Sequence, residues 1–550
     1  MSKKYKEGDY KEIWELDPMV DELDGKQILI RAVVVGHGDI EHYPVQYDWK
    51  CISCKDDGIV DTDGDWRKLK EPDRCRTCGS NELIIKPTHN RLIRVLVQEV
   101  GKSDGQMLTC YVFGNNVLEV HPGKITRFAG YLRSVKKRGE NTRKRVFDVN
   151  MIKCEDTKLE LPTDEEIEIF KTLTKEKLID SFAPNIKNMR LIKEGLLLSC
   201  IGGVKRDTTR GDINTFLAGD PGVAKTQLLE FVTKIVQKSD YASGKSSSQA
   251  GLMAGVDNLS DGTRVAKAGP VIMCSGGVVC IDEMDKMNAG DRSGLHEVME
   301  KQTFSLKKIG INQTWPAETV IIGAANPIKS KWDSNLTIKD NIRLPDSLLS
   351  RFGLMFLIRD IPDEEGDRLI GEHILLNRMG KIDTTIDTLT LMKFINYAKQ
   401  IKPQLSQDAA DELLHWWNKL RAVQQEDGSV QVDMRTLEDM ARLSEAYARI
   451  RLSETVEKED ALSAIDMLKE SLLTLGMNTP GERGASLVNH MNKDEFIKYL
   501  FGKKITHAQA VAEMRKKYKW FPTEESAMIY IERLHSNAVI FESDGFWQLV

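Results

Sequence analysis

No apolar run in this 550-residue chain approaches the roughly 18 residues of a membrane span. The first residues, Met1-Ser2-Lys3-Lys4-Tyr5, are charged and lack the apolar core of an export signal. Positive charge is not in excess: 78 Lys and Arg face 83 Asp and Glu, a net charge of −5. The chain as a whole is therefore not a basic nucleic-acid binder, and any such binding has to come from local patches. The nine cysteines are an odd number. Four are paired at a metal-like spacing and the rest are scattered, which suits a reducing compartment (cytoplasm, or nucleus in a eukaryotic cell) better than a disulfide scaffold. What remains is an ordinary globular balance, 41% hydrophobic and 29% charged. The length is enough for about three or four domains.

The stretch Gly219-Asp220-Pro221-Gly222-Val223-Ala224-Lys225-Thr226 is the most informative. It follows an apolar run, Ile213 to Ala218, and precedes a helical pattern from about Gln227. Strand, Gly-rich turn and helix in that order make a phosphate cradle. Backbone N–H groups and the positive helix end face the anion, Lys225 adds a point charge, and the Thr226 hydroxyl can hold Mg²⁺. The match has one flaw, Ala224 where the generic pattern wants Gly.

The N-terminal third shows short β-like runs, Gln27–Val35, Leu92–Val100, Met107–Phe113 and Arg127–Val135, separated by Gly- and Asp-rich turns. Strands without helices predict a small barrel. Within it lie Cys51-Ile52-Ser53-Cys54 and, twenty residues on, Cys75-Arg76-Thr77-Cys78. Two such knuckles offer four thiolates to a tetrahedral Zn²⁺, and with every position filled the metal is structural. A basic hairpin follows, carrying Lys136, Lys137, Arg138, Arg143, Lys144 and Arg145 around Gly139. Each cation can neutralise a phosphate; the alternative is a solvated charged turn.

Residues 181–360 alternate strand-like and helix-like segments, the mark of a mainly parallel sheet. Gly277 to Ile281 is an apolar run that ends in Asp282 and Glu283. Asp282 can hold Mg²⁺ and Glu283 can polarise an attacking water. A buried run ending at Asn326 places an amide that can orient that water. Arg351, just before the apolar run Leu354–Ile358, needs a carboxylate or phosphate partner. It is either a local salt-bridge partner or a finger reaching a neighbour's nucleotide.

These motifs, with Ser181-Phe182-Ala183-Pro184, Arg210-Gly211-Asp212-Ile213-Asn214, Asp285-Lys286-Met287, His296-Glu297-Val298-Met299-Glu300, Gln302-Thr303, Ala324-Ala325-Asn326-Pro327 and Ser350-Arg351-Phe352, resemble the minichromosome maintenance (MCM) family of AAA+ replicative helicases. The resemblance covers roughly residues 25–475 and is strongest from 181 to 370. Ala224 then reads as a family mark, since the family cradle also has Ala before Lys. The resemblance implies a ring of six subunits with ATP between them. Lys225, Thr226, Asp282, Glu283 and Asn326 would serve one side of each site, and Arg351 and Arg435 would arrive from the neighbour. It also implies two pore elements. Ala250–Pro270 resembles the insertion in the second helix, and Phe304–Ile311 resembles a hairpin whose Lys307 and Lys308 follow DNA phosphates without reading sequence.

From Thr388 to Leu475 the pattern is helical, with Leu413, Leu414, Trp416, Trp417 and Leu420 at spacings of one helix face. This predicts a lid that places Arg435, with the tryptophans in its core. Asn478–Ala485 reads as a Pro/Gly linker. Helical patterns and a closing hairpin (Val539–Glu542, Gly545–Val550) then predict a winged helix, fitted either to DNA or to protein contacts.

Against the family pattern, the barrel begins almost at once, so the helical subdomain expected before it has at most about 24 residues. The loop Gly101–Gln106 is short, Lys267 stands where an acid is common, and Gly353 stands where the family has Asp. Loss of that acid would loosen Arg351. Such departures point to a divergent paralogue, archaeal in type, rather than a cell's main replicative helicase.

The expected architecture is multidomain α/β. A lead-in (1–24) precedes an OB-type β-barrel (25–160), whose zinc-ribbon insertion lies at about 48–82 and whose basic hairpin spans 135–146. A linker (161–180) leads to an AAA+ P-loop ATPase core (181–375) with its helical lid (376–476). A second linker (477–489) leads to the winged helix (490–550). The expected function is an ATP-dependent DNA helicase using ATP, Mg²⁺ and structural Zn²⁺. It would act on single-stranded and forked DNA as a homo-hexamer or mixed with a related subunit, with no membrane partner. The alternatives are a non-unwinding subunit of a mixed ring and an AAA+ remodeller of protein complexes.

Overall fold

The computed structural model describes residues 25–475, apart from 62–65, 101–105, 137–142, 156–161, 208, 246–248, 259–262, 309–310, 330, 334–340, 361–363, 380–385 and 428–433, together with short pieces of 500–549. The expected lead-in, the loop at 101–105, the linker at 478–485 and most of the C-terminal helices lie outside the described residues. The strands that position the sites are, along the chain, β1 (Gln27–His37), β2 (Glu41–Cys51), β3 (Asp57–Asp61), β4 (Leu83–Gln98), β5 (Met107–Phe113), β6 (Ile125–Lys136), β7 (Arg143–Cys154), β8 (Thr215–Gly219), β9 (Ser239–Ser243), β10 (Ala254–Asn258), β11 (Arg264–Ala268), β12 (Val278–Asp282), β13 (Thr303–Lys308), β14 (Ile311–Pro316), β15 (Val320–Ala325) and β16 (Leu354–Ile358).

The chain forms two compact units, each drawn from separate segments. The first comprises Met1–Thr172, Thr226–Gly323 and Ile386–Tyr397, and the second Leu173–Lys225, Ala324–Thr385 and Ala398–Val550. In the first unit, β1, β6, β7, β5 and β4 pair in that order, and β4 pairs back with β1, closing a ring of five strands. Alternation of side chains fills the ring with Ile30, Val34, Val95, Cys110, Val112, Phe128, Phe147 and Val149. Strands β2 and β3 extend from β4. Three of the expected strands, β1, β4 and β6, are longer than the sequence pattern indicates, and β2 and β3 were not expected. β2 is mostly half-buried with no clear alternation, and β3 alternates over only five residues, so neither gives a strong period-2 signal.

On the other side of the ring, β11 pairs antiparallel with the end of β1, Gly36 opposite Lys267 and His37 opposite Ala266. β10 pairs with β11. A Cβ at position 36 would lie 2.1 Å from the Ala266 carbonyl oxygen, so only glycine allows this approach. The segment Ala250–Pro270, read as the insertion in the second helix, thus holds a hairpin joined to the barrel sheet. The first unit also holds β9, β12 and β15, paired in parallel in that order. β12 and β15 are buried throughout, as fits a near-continuous apolar run in a parallel sheet.

In the second unit β8 and β16 pair in parallel. Gly195 of the helix Arg190–Ile201 lets Phe356 pack against that helix, because a Cβ there would sit 2.6 Å from the ring. The helices Gln407–Asp427, Met434–Ile450 and Lys458–Thr474 form the expected lid. Trp416 and Trp417 are buried in it, as expected, but Leu414 is 47% exposed and does not share their face. In the described part of the C-terminal segment, Ile505–Thr506, Phe546–Leu549 and Ile540–Ser543 form a three-stranded sheet. Among the described residues no helix is long and apolar enough to cross a membrane.

Candidate nucleotide and metal sites

The loop after β8 runs into the helix Lys225–Ile235, two residues earlier than the sequence pattern suggests. Gly222 has φ +89° and Ala224 has φ +57°. Left-handed residues in such a turn bring successive N–H groups to one concave side, which favours an anion. Ala224 therefore stands where Gly is the usual solution and bears the left-handed cost of roughly 1–2 kcal/mol. Lys225 is buried, and its Nζ donates to the Gly219 and Asp220 carbonyls, each at 2.7 Å. The Asp220 carboxylate accepts from the backbone N–H of Trp332 (3.0 Å) and Asp360 (3.1 Å), which fixes the start of the loop. Pro221, Gly222, Thr226 and Gln227 are exposed, and Val223 is half-buried.

Thr226 follows Lys225 in the same helix. Its Oγ1 donates to Asp282 Oδ2 at 2.6 Å. Tyr241, on the neighbouring strand β9, donates its hydroxyl to the same oxygen at 3.1 Å. Burial, then the Asp282 charge, push the Tyr241 phenol above its usual range, so it stays a donor. Glu283 sits at φ +53° just past β12, with its N–H donating to Asp282 Oδ1 at 2.7 Å. Its carboxylate accepts from Ser243 Oγ at 3.3 Å and pairs with Lys286. Gly244 allows this packing, since a Cβ there would lie 2.5 Å from the Glu283 carbonyl.

Within each unit the donors fit one part of a magnesium nucleotide: the loop and Lys225 of the second unit suit phosphates, and Thr226 with Asp282 of the first suits the ion. Loop N–H groups and Lys225 would hold phosphates, while Thr226 and Asp282 would share the ion, which supplies charge neutralisation and orientation. Glu283, tethered at both carboxylate oxygens, is the base this arrangement offers to a water. Tyr241 and Ser243 were not singled out from the sequence, and Lys286 was read only as part of the Asp285-Lys286-Met287 motif. The available signal was register: in a parallel pair Ser243 lies opposite Asp282 and Tyr241 opposite Cys280.

Asn326 directly follows β15 and is half-buried. Arg351 is only 8% exposed, in the turn before β16, and its carbonyl accepts from Asn214 Nδ2 at 3.4 Å. Arg435 lies in the first turn of the helix Met434–Ile450, half-buried. Lys307 and Lys308 are exposed at the end of β13, opposite Asn312 and Ile311. Their hairpin is tied to the barrel, because Gln313 Nε2 donates to the His37 carbonyl at 3.1 Å. The basic turn is described only at its flanks. Lys137 and Arg138 lie outside the described residues, as do the side chains of Lys136, Arg143 and Lys144, and Arg145 is half-buried.

The four cysteine sulfurs Cys51, Cys54, Cys75 and Cys78 lie within 4.8 Å of one another, with Cys51–Cys78 at 3.5 Å and Cys54–Cys75 at 3.6 Å. Tetrahedral Zn–S bonds of about 2.3 Å place sulfurs about 3.8 Å apart, so the set fits zinc. Each knuckle closes the same way: Lys55 N–H donates to the Cys51 carbonyl at 3.1 Å and Gly79 N–H to the Cys75 carbonyl at 3.0 Å. Both closing residues are left-handed, at φ +64° and +74°. The backbone N–H of Cys54 is the main influence drawing the Cys51 thiol down to about 7. Trp49 packs on Cys51 and Cys75 from within, with Val60, Leu83 and Ile85 around them.

A parallel α/β arrangement with a phosphate loop, a helix-borne Lys-Thr pair and two carboxylates closing a strand defines a P-loop nucleotide-binding protein of the AAA+ type. Comparison with known proteins gives the family. Residues 165–378 match the MCM P-loop domain and residues 389–472 the MCM AAA-lid domain, together more than half of the chain. The chain belongs to the minichromosome maintenance (MCM) family. It is 33% identical over 490 residues to DNA replication licensing factor mcm4-B of Xenopus laevis, covering 81% of this chain and 56% of that protein. It is 34% identical over 443 residues to the minichromosome maintenance protein MCM of Saccharolobus solfataricus, covering 74% and 64%. With DNA replication licensing factor MCM4 of Arabidopsis thaliana the identity is 39% over 343 residues, covering 59% and 40%. The chain spans about half the length of the curated relatives it matches.

Proposed function

We propose that this chain hydrolyses ATP and uses the cycle to move along single-stranded DNA and unwind forked duplex during replication, as one subunit of a six-membered ring. The observation that carries the reading is the Thr226–Asp282–Glu283 constellation of the first unit, which in the chain directly follows a phosphate loop with its lysine. Glu283 activates water, Asn326 orients it, and Arg351 and Arg435 complete the site of the adjoining subunit. The exposed Lys307 and Lys308 follow the phosphates of one strand, travelling 3′→5′. The closed five-strand ring serves as an OB-type platform with its zinc knuckle, and the C-terminal segment as a winged helix.

Relatives named as replication licensing factors support the replication setting. Both are named MCM4, which leaves a ring mixed with a related subunit beside the homo-hexamer. The test is ATP-dependent separation of a forked duplex by the wild type and by Lys225→Ala, with sizing in the presence of ATP and DNA. Activity in the wild type alone, at the mass of a ring, is expected. ATP hydrolysis without strand separation overturns the helicase reading, and a mass of one protomer overturns the ring.

A further inference from the structure

We propose that Asp439 is a positioning residue for Arg351, supplying from the lid helix Met434–Ile450 the acid that position 353 lacks. This rests on the ATP-hydrolysing reading above. Gly353 lies two residues beyond Arg351, and a Cβ built there would stand 3.0 Å from both Cγ and Oδ1 of Asp439 and 3.3 Å from Oδ2. The Asp439 carboxylate thus fills the space into which a side chain at 353 would project.

It is held there firmly. Asp439 pairs with Arg442, whose side chain is 7% exposed and which also reaches Glu438 (2.7 Å) and the Arg210 carbonyl (3.0 Å). The helix itself is seated in a second glycine gap: a Cβ at Gly203 would meet Arg442 Cα at 3.0 Å. Glu445 completes the attachment by accepting from the Val204 N–H at 2.7 Å. On the opposite side the turn is fixed by Asn214. Its carbonyl accepts from the Gly353 N–H at 2.9 Å, and its amide donates to the Arg351 carbonyl. The segment Arg351-Phe352-Gly353 is therefore clamped between Asn214 and Asp439.

The location has a further consequence. Arg435 precedes Asp439 by four residues in the same helix, one turn away on the same face. A single carboxylate then packs the helix that bears one predicted arginine against the turn that bears the other. Burial pushes the Asp439 carboxyl up to about 6, against the pull of Arg442 and Arg210.

The experiment measures steady-state ATP hydrolysis by the full chain with single-stranded DNA present, alongside thermal melting. Asp439→Ser and the shape-preserving Asp439→Asn are expected to lower kcat about ten- to a hundredfold, the effect of a small misplacement of a catalytic group, with KM little changed and a lowered melting temperature as Arg442 loses a buried partner. The double variant Gly353→Asp/Asp439→Ser returns an acid to the same space from the other side and is expected to recover most of the wild-type kcat. Gly353→Asp alone sets two carboxylates against each other and is expected to be the poorest of the set. Wild-type kcat in both Asp439 variants, or a double variant no better than Asp439→Ser, overturns the inference. Arg351→Ala separates the two levels. If it abolishes hydrolysis while the Asp439 variants do not, only the positioning role fails. If it leaves hydrolysis intact, the assigned role of Arg351 fails and this inference falls with it.

Discussion

The phosphate loop and the zinc knuckles solve opposite problems with the same backbone device. Both use left-handed residues to fold a short turn back on itself: Gly222 and Ala224 in the loop, Lys55 and Gly79 in the knuckles. In the loop the N–H groups converge, and the nearest cation, Lys225, is already satisfied by two carbonyls of the loop itself. In the knuckles the sulfurs converge, with two of the six pair distances as short as 3.5 and 3.6 Å. As thiolates they would repel one another without a metal. The loop is thus a site that stands ready before its ligand arrives, while the knuckles would need a metal to hold their thiolates together.

The largest effects should separate these two cases. Lys225→Ala is expected to reduce ATP hydrolysis by about a hundredfold or more while the melting temperature stays near wild type. Cys51→Ser, or removal of zinc by a chelator, should do the reverse to the first unit. Metal content falls from one zinc per chain to none, and the segment around Trp49 loses protection from hydrogen exchange. A metal-free protein that keeps that protection would erase the contrast.

A smaller effect is expected of Tyr241→Phe. It removes one hydrogen bond to Asp282, about 0.5–1.5 kcal/mol, and should raise the Mg²⁺ concentration needed for half-maximal hydrolysis by roughly three- to tenfold. The smallest comes from exchanging the left-handed residues. Lys55→Gly relieves strain at a knuckle and should raise zinc retention against a chelator, by up to about 1 kcal/mol. Ala224→Gly relieves the same strain but frees a loop whose value is to be fixed in advance, so KM for ATP should rise modestly while melting hardly changes. Equal behaviour of the two glycine variants would mean that the loop is not preorganised.

Local chemistry was legible in the sequence. The loop, the paired knuckles, the acidic pair after β12 and the family all follow from contiguous residues, because each site is built largely from one or two turns. Features that depend on distant partners were not. Nothing in Gly36 or Lys267 announces that they face each other, and nothing in Gly353 points to Asp439, 86 residues away in the chain. The absent acid at 353 read as a loosened arginine, whereas the structure puts the Asp439 carboxylate in that space. Leu414 misled because two overlapping helical periods pass through 413–420, and only packing chose between them.

Gly36 carries one last consequence. The barrel strand and the hairpin Ala254–Ala268 are laced into a single fabric by two rungs, and the stitch passes through the one position where a methyl group would collide with the opposing carbonyl. Cut there, the cloth parts into two pieces that each keep their own weave. Left whole, tension on the hairpin is carried straight into a strand of the closed ring, without passing through any loop.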